Sequence, residues 1–244
     1  MIDKSSFMAA LNRAFSDNGL GGLLSLERSE KFYELTVLML EENEKYNLTA
    51  IKEPEKIALA HYADCAALAK LLPKNATMID VGCGAGFPTL PAAILRPDIK
   101  ITALDSTAKR TAYVKMAADK LGLTNVTVVT ARAEDAAKDP AMRESFDVAT
   151  ARAVAAMRIL TELCLPFVKI GGEMIAMKGK NAEFELAESK KAISLLGGKL
   201  GGVESIVLKA KDEDLSHPLV RVKKTAKTPA AYPRAYAQIS KKPL

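Results

Sequence analysis

The stretch MIDVGCGAGFPTLP, residues 78–91, decides the fold. It starts as a short apolar run and then places glycines at alternate positions, Gly82, Gly84 and Gly86, before closing on Phe87 and Pro88. Glycine permits turns and close backbone approaches that other residues forbid. In an open parallel sheet, ligands lie beyond the carboxyl ends of the strands, so a strand running into glycines reads as the floor of a ligand site. Three ligand chemistries use such floors. A triphosphate-binding loop ends in Gly-Lys-Ser/Thr, whereas this one ends in Gly-Phe-Pro. The dinucleotide fingerprint spaces its last two glycines one residue further apart than Gly84 and Gly86. Asp80, just ahead of the first glycine, would repel a pyrophosphate and suits a ligand bearing an ammonium. S-adenosylmethionine has that charge pattern: an ammonium, a sulfonium, one carboxylate and no phosphate. Its ribose needs an acid at the end of the second strand, where IKITALD (99–105) closes on Asp105. The glycines alone would be only a turn; with both acids they select class I methyltransferase chemistry.

Away from this loop the chain divides by texture. Residues 1–75 read as a small helical N-terminal region, with apolar positions at three- and four-residue spacing in KFYELTVLMLEENEKYN and EKIALAHYADCAALAKLL. Between these, Thr49 suits a helix cap and Pro54 a first helical turn. Residues 76–223 alternate strands and helices, with near-continuous apolar strands, as in a Rossmann-like, mainly parallel, doubly wound sheet. VESIVLK and HPLVRVKK predict an antiparallel edge. Residues 224–244 form a basic tail.

Composition narrows the class. With 49% hydrophobic residues in 244, the chain can bury one core of ordinary size. No apolar run is long enough to span a bilayer and the start is polar, so a cytoplasmic protein, monomeric by default, is expected. Three dispersed cysteines and two histidines give neither a disulfide framework nor zinc-ligand spacing, so no metal is expected. The net charge of +6 suits a polyanionic partner. So do seven basic residues, without one acid, between Val220 and Leu244. Charge alone fits a disordered solubilising tail equally well.

The methyl acceptor is narrowed by what is missing. Exocyclic-amine methylation commonly places Asn/Asp-Pro-Pro-aromatic after the fourth strand, where this chain has TARAVAAM. Carbon-5 methylation needs a cysteine nucleophile, usually beside a proline, and none of Cys65, Cys83 and Cys164 adjoins one. Guanine N7 needs neither device, since its in-plane lone pair has no proton to lose. An enzyme acting there works by alignment and charge balance.

YNLTAI (46–51), HYADC (61–65), IDVGCGAGFP (79–88), LDSTAKR (104–110), RAED (132–135), ARAVA (151–155), the GG…KG pair (171–179) and YPR (232–234) occur here in order. In this set the chain resembles the bacterial 16S ribosomal RNA guanine-N7 methyltransferases, also called glucose-inhibited division protein B. The resemblance implies methyl transfer from S-adenosylmethionine to N7 of one guanine of 16S ribosomal RNA, with that RNA or the small subunit as partner. It implies donor contacts at Gly82 and Phe87, an adenine site at Ala133 and Glu134, and a site arginine at Arg152, the catalytic candidate. Asp80, Gly84, Gly86 and Asp105 complete the expected donor site. A salt bridge from Arg152 to Glu134 or Asp135 is the plainer expectation for that arginine. His61 and Asp64 read as a structural pair on a helix. RNA contacts are expected from Lys109, Arg110, Arg132, Arg158, Lys178 and Lys180, at strand carboxyl ends, and from Lys223, Lys224 and Arg234 in the tail. Thr89 and Cys83 depart from the family's usual glycine and threonine, and Cys65 from serine. The other readings are a small-molecule methyltransferase and a non-catalytic RNA-binding assembly factor.

Overall fold

The computed structural model describes residues 2–210 and 214–244. The chain starts with capped, amphipathic helices. α1 (Lys4–Ser16) opens on Asp3, whose carboxylate accepts from the Ser6 N–H. α2 (Leu26–Tyr46) opens on Ser25 and stops at Asn47, which adopts the left-handed conformation at φ 50°. Its buried Phe32, Leu35, Thr36 and Met39 form the stripe that the sequence periodicity predicts. Pro54 opens α3 (Pro54–Ile57), which continues through a π-helical segment, Ala58–Ala63, into α4 (Asp64–Leu71). Thr49 does not cap this helix. Glu53 holds the N-cap position, and Thr49 Oγ1 accepts the Ile51 N–H within its own loop.

Strands and helices then alternate: β1 (Thr77–Val81), α5 (Thr89–Leu95), β2 (Lys100–Asp105), α6 (Ala108–Lys120), β3 (Val126–Thr130), α7 (Ala133–Ala136), β4 (Phe146–Arg152), α8 (Met157–Cys164), β5 (Val168–Met177) and α9 (Ala182–Leu195). β6 (Gly198–Leu208), β7 (Leu215–Lys224) and α10 (Tyr236–Lys241) follow. The seven strands lie in the order β3-β2-β1-β4-β5-β7-β6. β1 to β5 are parallel, and β7 runs antiparallel between β5 and β6. Strand order reverses between β1 and β4, which is where a doubly wound sheet opens a crevice. The register Asp80↔Thr150 carries Arg152 past the end of β1, level with the glycine loop.

Alternate residues of β1 feed two cores, as strand geometry requires. Met78 joins Ile101, Ala103, Val148 and Ile175 beneath α1 to α6. Ile79 and Val81 join Leu104, Ala149 and Met174 beneath α8, α9 and α10. The N-terminal helices are part of the first core. Tyr62 is fully buried, with its ring 4.6 Å from Phe32 and 6.1 Å from Phe87 of the glycine loop, and its hydroxyl 2.6 Å from Thr36 Oγ1. Each such aromatic pair contributes about 0.5–1.5 kcal/mol beyond its burial.

The segment after β7 is packed onto the sheet domain by arginines. Arg143 donates to the carbonyls of Thr228 and Tyr232, and Arg158 to the Pro243 carbonyl and a main-chain oxygen of Leu244. Arg234 forks onto Glu162, a carboxylate with no exposed surface. Truncating one partner of a buried pair costs roughly 3–5 kcal/mol. Arg234→Ala is therefore expected to lower Tm by about 6–20 °C in a thermal melt, with Glu162→Gln in that background restoring most of the loss. An unchanged Tm would place Arg234 in solvent instead.

Candidate active site

A cleft of about 500 Å³ opens at the reversal of strand order, between the loops that follow β1 to β4. Its floor is the glycine loop. Gly82 has φ +76°, and a Cβ there would lie 2.7 Å from Val154 Cγ2, so the loop after β4 can close onto the floor only over glycine. Gly86 (φ +83°) lies outside the cleft lining. A Cβ there would strike Leu90 Cδ1 at 2.6 Å, so this third glycine serves the packing of α5.

The loop amides point inward. Gly82 and Cys83 N–H both donate to the Leu104 carbonyl, and Gly86 N–H donates to the Cys83 carbonyl. Gly84 N–H donates to Asp105 Oδ2 at 3.0 Å, and Thr107 N–H donates to Asp105 Oδ1 at 2.8 Å. A phosphate cradle aims such amides at the ligand. Here they fix a carboxylate instead, and each Asp105 oxygen keeps a lone pair for a hydroxyl. Ala133 and the buried Glu134 line the cleft from the loop after β3.

Asp80 does not reach the cleft. Its side chain is fully buried beneath the loop, where Oδ2 accepts from Thr89 Oγ1 at 2.7 Å and Oδ1 has no partner. Burial pushes the carboxyl up to about 6. The expected direct ammonium contact is thus corrected. Asp80 pins the first residue of α5 to β1, which is also why threonine is accommodated at position 89.

Arg152 is the hub on the opposite side. Its guanidinium donates to the Ala60 carbonyl at 3.0 Å, to Asp64 Oδ2 at 3.3 Å and to His61 Nδ1 at 3.3 Å. It also lies 5.2 Å from the centre of the Phe87 ring. The carboxylate partner is therefore Asp64 on α4, not Glu134 or Asp135. Asp64 is buried, and His217 Nδ1 lies 3.2 Å from its other oxygen. His61 stacks on Phe87 at 4.5 Å. Burial first, and the Arg152 charge second, push its imidazole down to about 4. The ring is neutral at pH 7, and with Nδ1 accepting from Arg152 the proton sits on Nε2, 3.0 Å from Thr49 Oγ1. Both ring nitrogens are committed, so His61 is no general base. The three cysteines are buried, and burial pushes each thiol up, away from the thiolate a covalent mechanism needs. Among the described residues no cluster of metal-ligating side chains occurs.

The candidate RNA contacts separate sharply. Arg110 and Arg132 are exposed and line the cleft, and Lys109 and Lys180 are exposed at the same edge of the sheet. Lys178 is turned inward, donating to the Ala155 carbonyl and pairing with Glu185. Arg158 and Arg234 are spent on holding the C-terminal segment. Lys224 is buried, bonded to the Leu165 carbonyl and Thr228 and paired with Glu144, so no phosphate can reach it. Lys223 is exposed but lies opposite Glu173, at the sheet edge away from the cleft. A run of cations in the sequence does not say which edge of a sheet each one meets. Val154 and Tyr236 also line the cleft; Val154 lies within the ARAVA motif, but nothing in its local pattern marks it as a cleft residue.

His61 supplies a test by titration. Its native pKa of about 4 lies below the usual 6.5, so between these values the unfolded chain binds more protons. The His61 contribution to stability is complete above pH 6.5 and is lost as pH falls toward 4. Asp80, raised from 3.8 to about 6, acts in the opposite sense over its own window. The His61 ring signals should therefore titrate near pH 4 by NMR, and His61→Gln should remove that part of the acid destabilisation. A midpoint near 6.5 would mean that the ring is solvated.

Comparison with known proteins places this geometry. A family model described as GidB, rRNA small subunit methyltransferase G, matches residues 28–215. A ribosomal RNA small subunit methyltransferase G from Clostridium beijerinckii is 45% identical over 98% of this chain and 99% of its own. One from Clostridium perfringens is 47% identical over 89% and 91%, and one from Acetivibrio thermocellus 42% identical over 93% of each. Among solved structures, the precorrin-6y C5,15-methyltransferase of Geobacter metallireducens aligns with TM-score 0.51 at 16% identity, over 75% of this chain and 95% of that one. M. jannaschii TYW2 in complex with AdoMet aligns with TM-score 0.52 at 17% identity, over 66% and 74%. At those identities the structural likeness speaks for the methyltransferase fold alone, while the sequence relatives go further: this chain belongs to the GidB family of rRNA small subunit methyltransferases G.

Proposed function

We propose that the cleft binds S-adenosylmethionine and delivers its methyl group to N7 of a guanine in 16S ribosomal RNA. One observation carries this reading. The donor side presents a fixed carboxylate, Asp105, on amides turned away from any phosphate, while the acceptor side presents Arg152 with no available base or nucleophile. S-adenosylmethionine, when bound, supplies an electrophilic methyl on a sulfonium. The chain's own residues then have three tasks. Asp105 accepts from the ribose hydroxyls through its spare lone pairs, and Glu134 and Ala133 border the adenine. Val154, seated over Gly82, excludes water from the floor. Arg152 uses three of its five N–H donors on Ala60, Asp64 and His61, which leaves two for a guanine edge or a phosphate. A nucleophile without a proton to lose needs no more than this alignment and charge balance.

Arg110 and Arg132 at the rim, with Lys109 and Lys180 beside them, supply the cations that phosphates need. Among the described residues no helix is long and apolar enough to cross a membrane, in keeping with work on cytoplasmic ribosomes.

Incubating candidate RNAs with labelled methyl donor and mapping alkali-labile N7-methylguanine tests the reading. Label should appear at one guanine of 16S RNA; label found only in protein or small metabolites would overturn it. Arg152→Ala should abolish transfer while donor affinity, measured by calorimetry, falls much less. Equal loss of both would move Arg152 into the donor site. Gly82→Ala should weaken donor binding by about tenfold or more, equivalent to 1.4 kcal/mol, without unfolding the chain.

A further inference from the structure

The C-terminal segment carries a surface that the cleft residues do not account for. α10 starts with Tyr236, which lines the cleft with its ring partly exposed, and continues into Gln238, Lys241 and Lys242. These last three line a second groove of about 430 Å³ together with Arg234. One short helix therefore forms a wall of both depressions. Among the described residues neither Lys241 nor Lys242 has an acidic partner, and the sequence holds no Asp or Glu after Asp214. The helix is fixed in place by side chains beneath it. Arg158 holds the Pro243 carbonyl and a main-chain oxygen of Leu244, Arg234 is locked on Glu162, and Ile239 is buried in the second core. Cations on a rigid platform lose little entropy on meeting a phosphate, unlike those of a loose tail.

We infer that α10 is an RNA-docking shelf. Tyr236 stacks on a base next to the one in the cleft, and Lys241 and Lys242 take the phosphates of the unpaired strand leading away from it. The residue types argue for single-stranded RNA over a duplex. An exposed aromatic ring needs an unstacked base, and a lysine-lined groove tracks one backbone. This rests on the rRNA-methylation reading above and adds to it where the strand leaves the enzyme. It replaces the expectation that Arg158 and Arg234 touch RNA, since they serve the shelf from below.

The test uses the full chain, with a 16S RNA fragment containing the methylated guanine. Lys241→Ala/Lys242→Ala should raise KM for RNA on the order of tenfold and make the salt dependence of binding shallower, by about 0.7 in log–log slope per lost phosphate contact. kcat, donor affinity and Tm should be unchanged. Tyr236→Leu should raise KM for RNA, and Tyr236→Phe should restore it. Unchanged KM and salt slope in the double variant, with wild-type enzyme active on the same RNA, would overturn the shelf and leave the methylation reading intact. No transfer to RNA by the wild-type enzyme would overturn both. A rise in donor KM equal to that for RNA would assign α10 to the cofactor site and also overturn the shelf.

Discussion

The site is held by one guanidinium. Arg152 leaves the end of β4 and binds Ala60, His61 and Asp64, which belong to helices laid down before the sheet begins, while lying against Phe87 of the glycine loop. Three segments far apart in sequence thereby meet at one planar cation. Arginine suits this because its donors radiate in a fixed plane and its face can rest on an aromatic ring; lysine can offer the charge but not the geometry. Asp64 is buried, so removing the arginine would leave its carboxylate with the His217 ring as its one remaining side-chain neighbour of opposite character among the described residues, at a cost in stability.

The π-helical segment bears directly on this arrangement. His61 and Ala60 both lie in it, and an added residue in a helical turn shifts which groups face a given side. The Ala60 carbonyl and the His61 ring both turn toward Arg152, while Tyr62, next in line, goes into the core against Phe32. Polar and apolar neighbours in sequence are thus sent to different sides of the segment, both beside Phe87. The positive φ of Ala153, at 55°, is a similar local departure, and it follows directly after the arginine whose direction matters most.

Much of the fold was legible because it rests on local pattern. Glycine spacing, apolar strand runs and helical periodicity are properties of neighbouring residues, and the sheet follows from them. Asp105 was legible for the same reason: its place at the end of β2 follows from the strand itself. What escaped the sequence was partnership across distance. Arg152 and Asp64 are 88 residues apart, and nothing local to ARAVA points toward HYADC. Asp80 misled because strand alternation turns it beneath the loop, although its position suggests a ligand contact. The basic tail misled differently. Lys224 and Arg234 differ from Lys241 and Lys242 in what lies under them, and charge counting is blind to that.

The shared origin of the cleft walls couples binding to the folding of the N-terminal helices. α1, α2 and the segment through α4 bury the aromatic cluster of Phe7, Phe32 and Tyr62, which backs onto Phe87. Any molecule that binds the cleft only when Phe87 and Arg152 are in register also favours the docked state of those helices, by mass action. The helical region is therefore a thermodynamic partner of the ligand: its local opening and the occupancy of the cleft form a single linked equilibrium, although no residue of α1 enters the cleft.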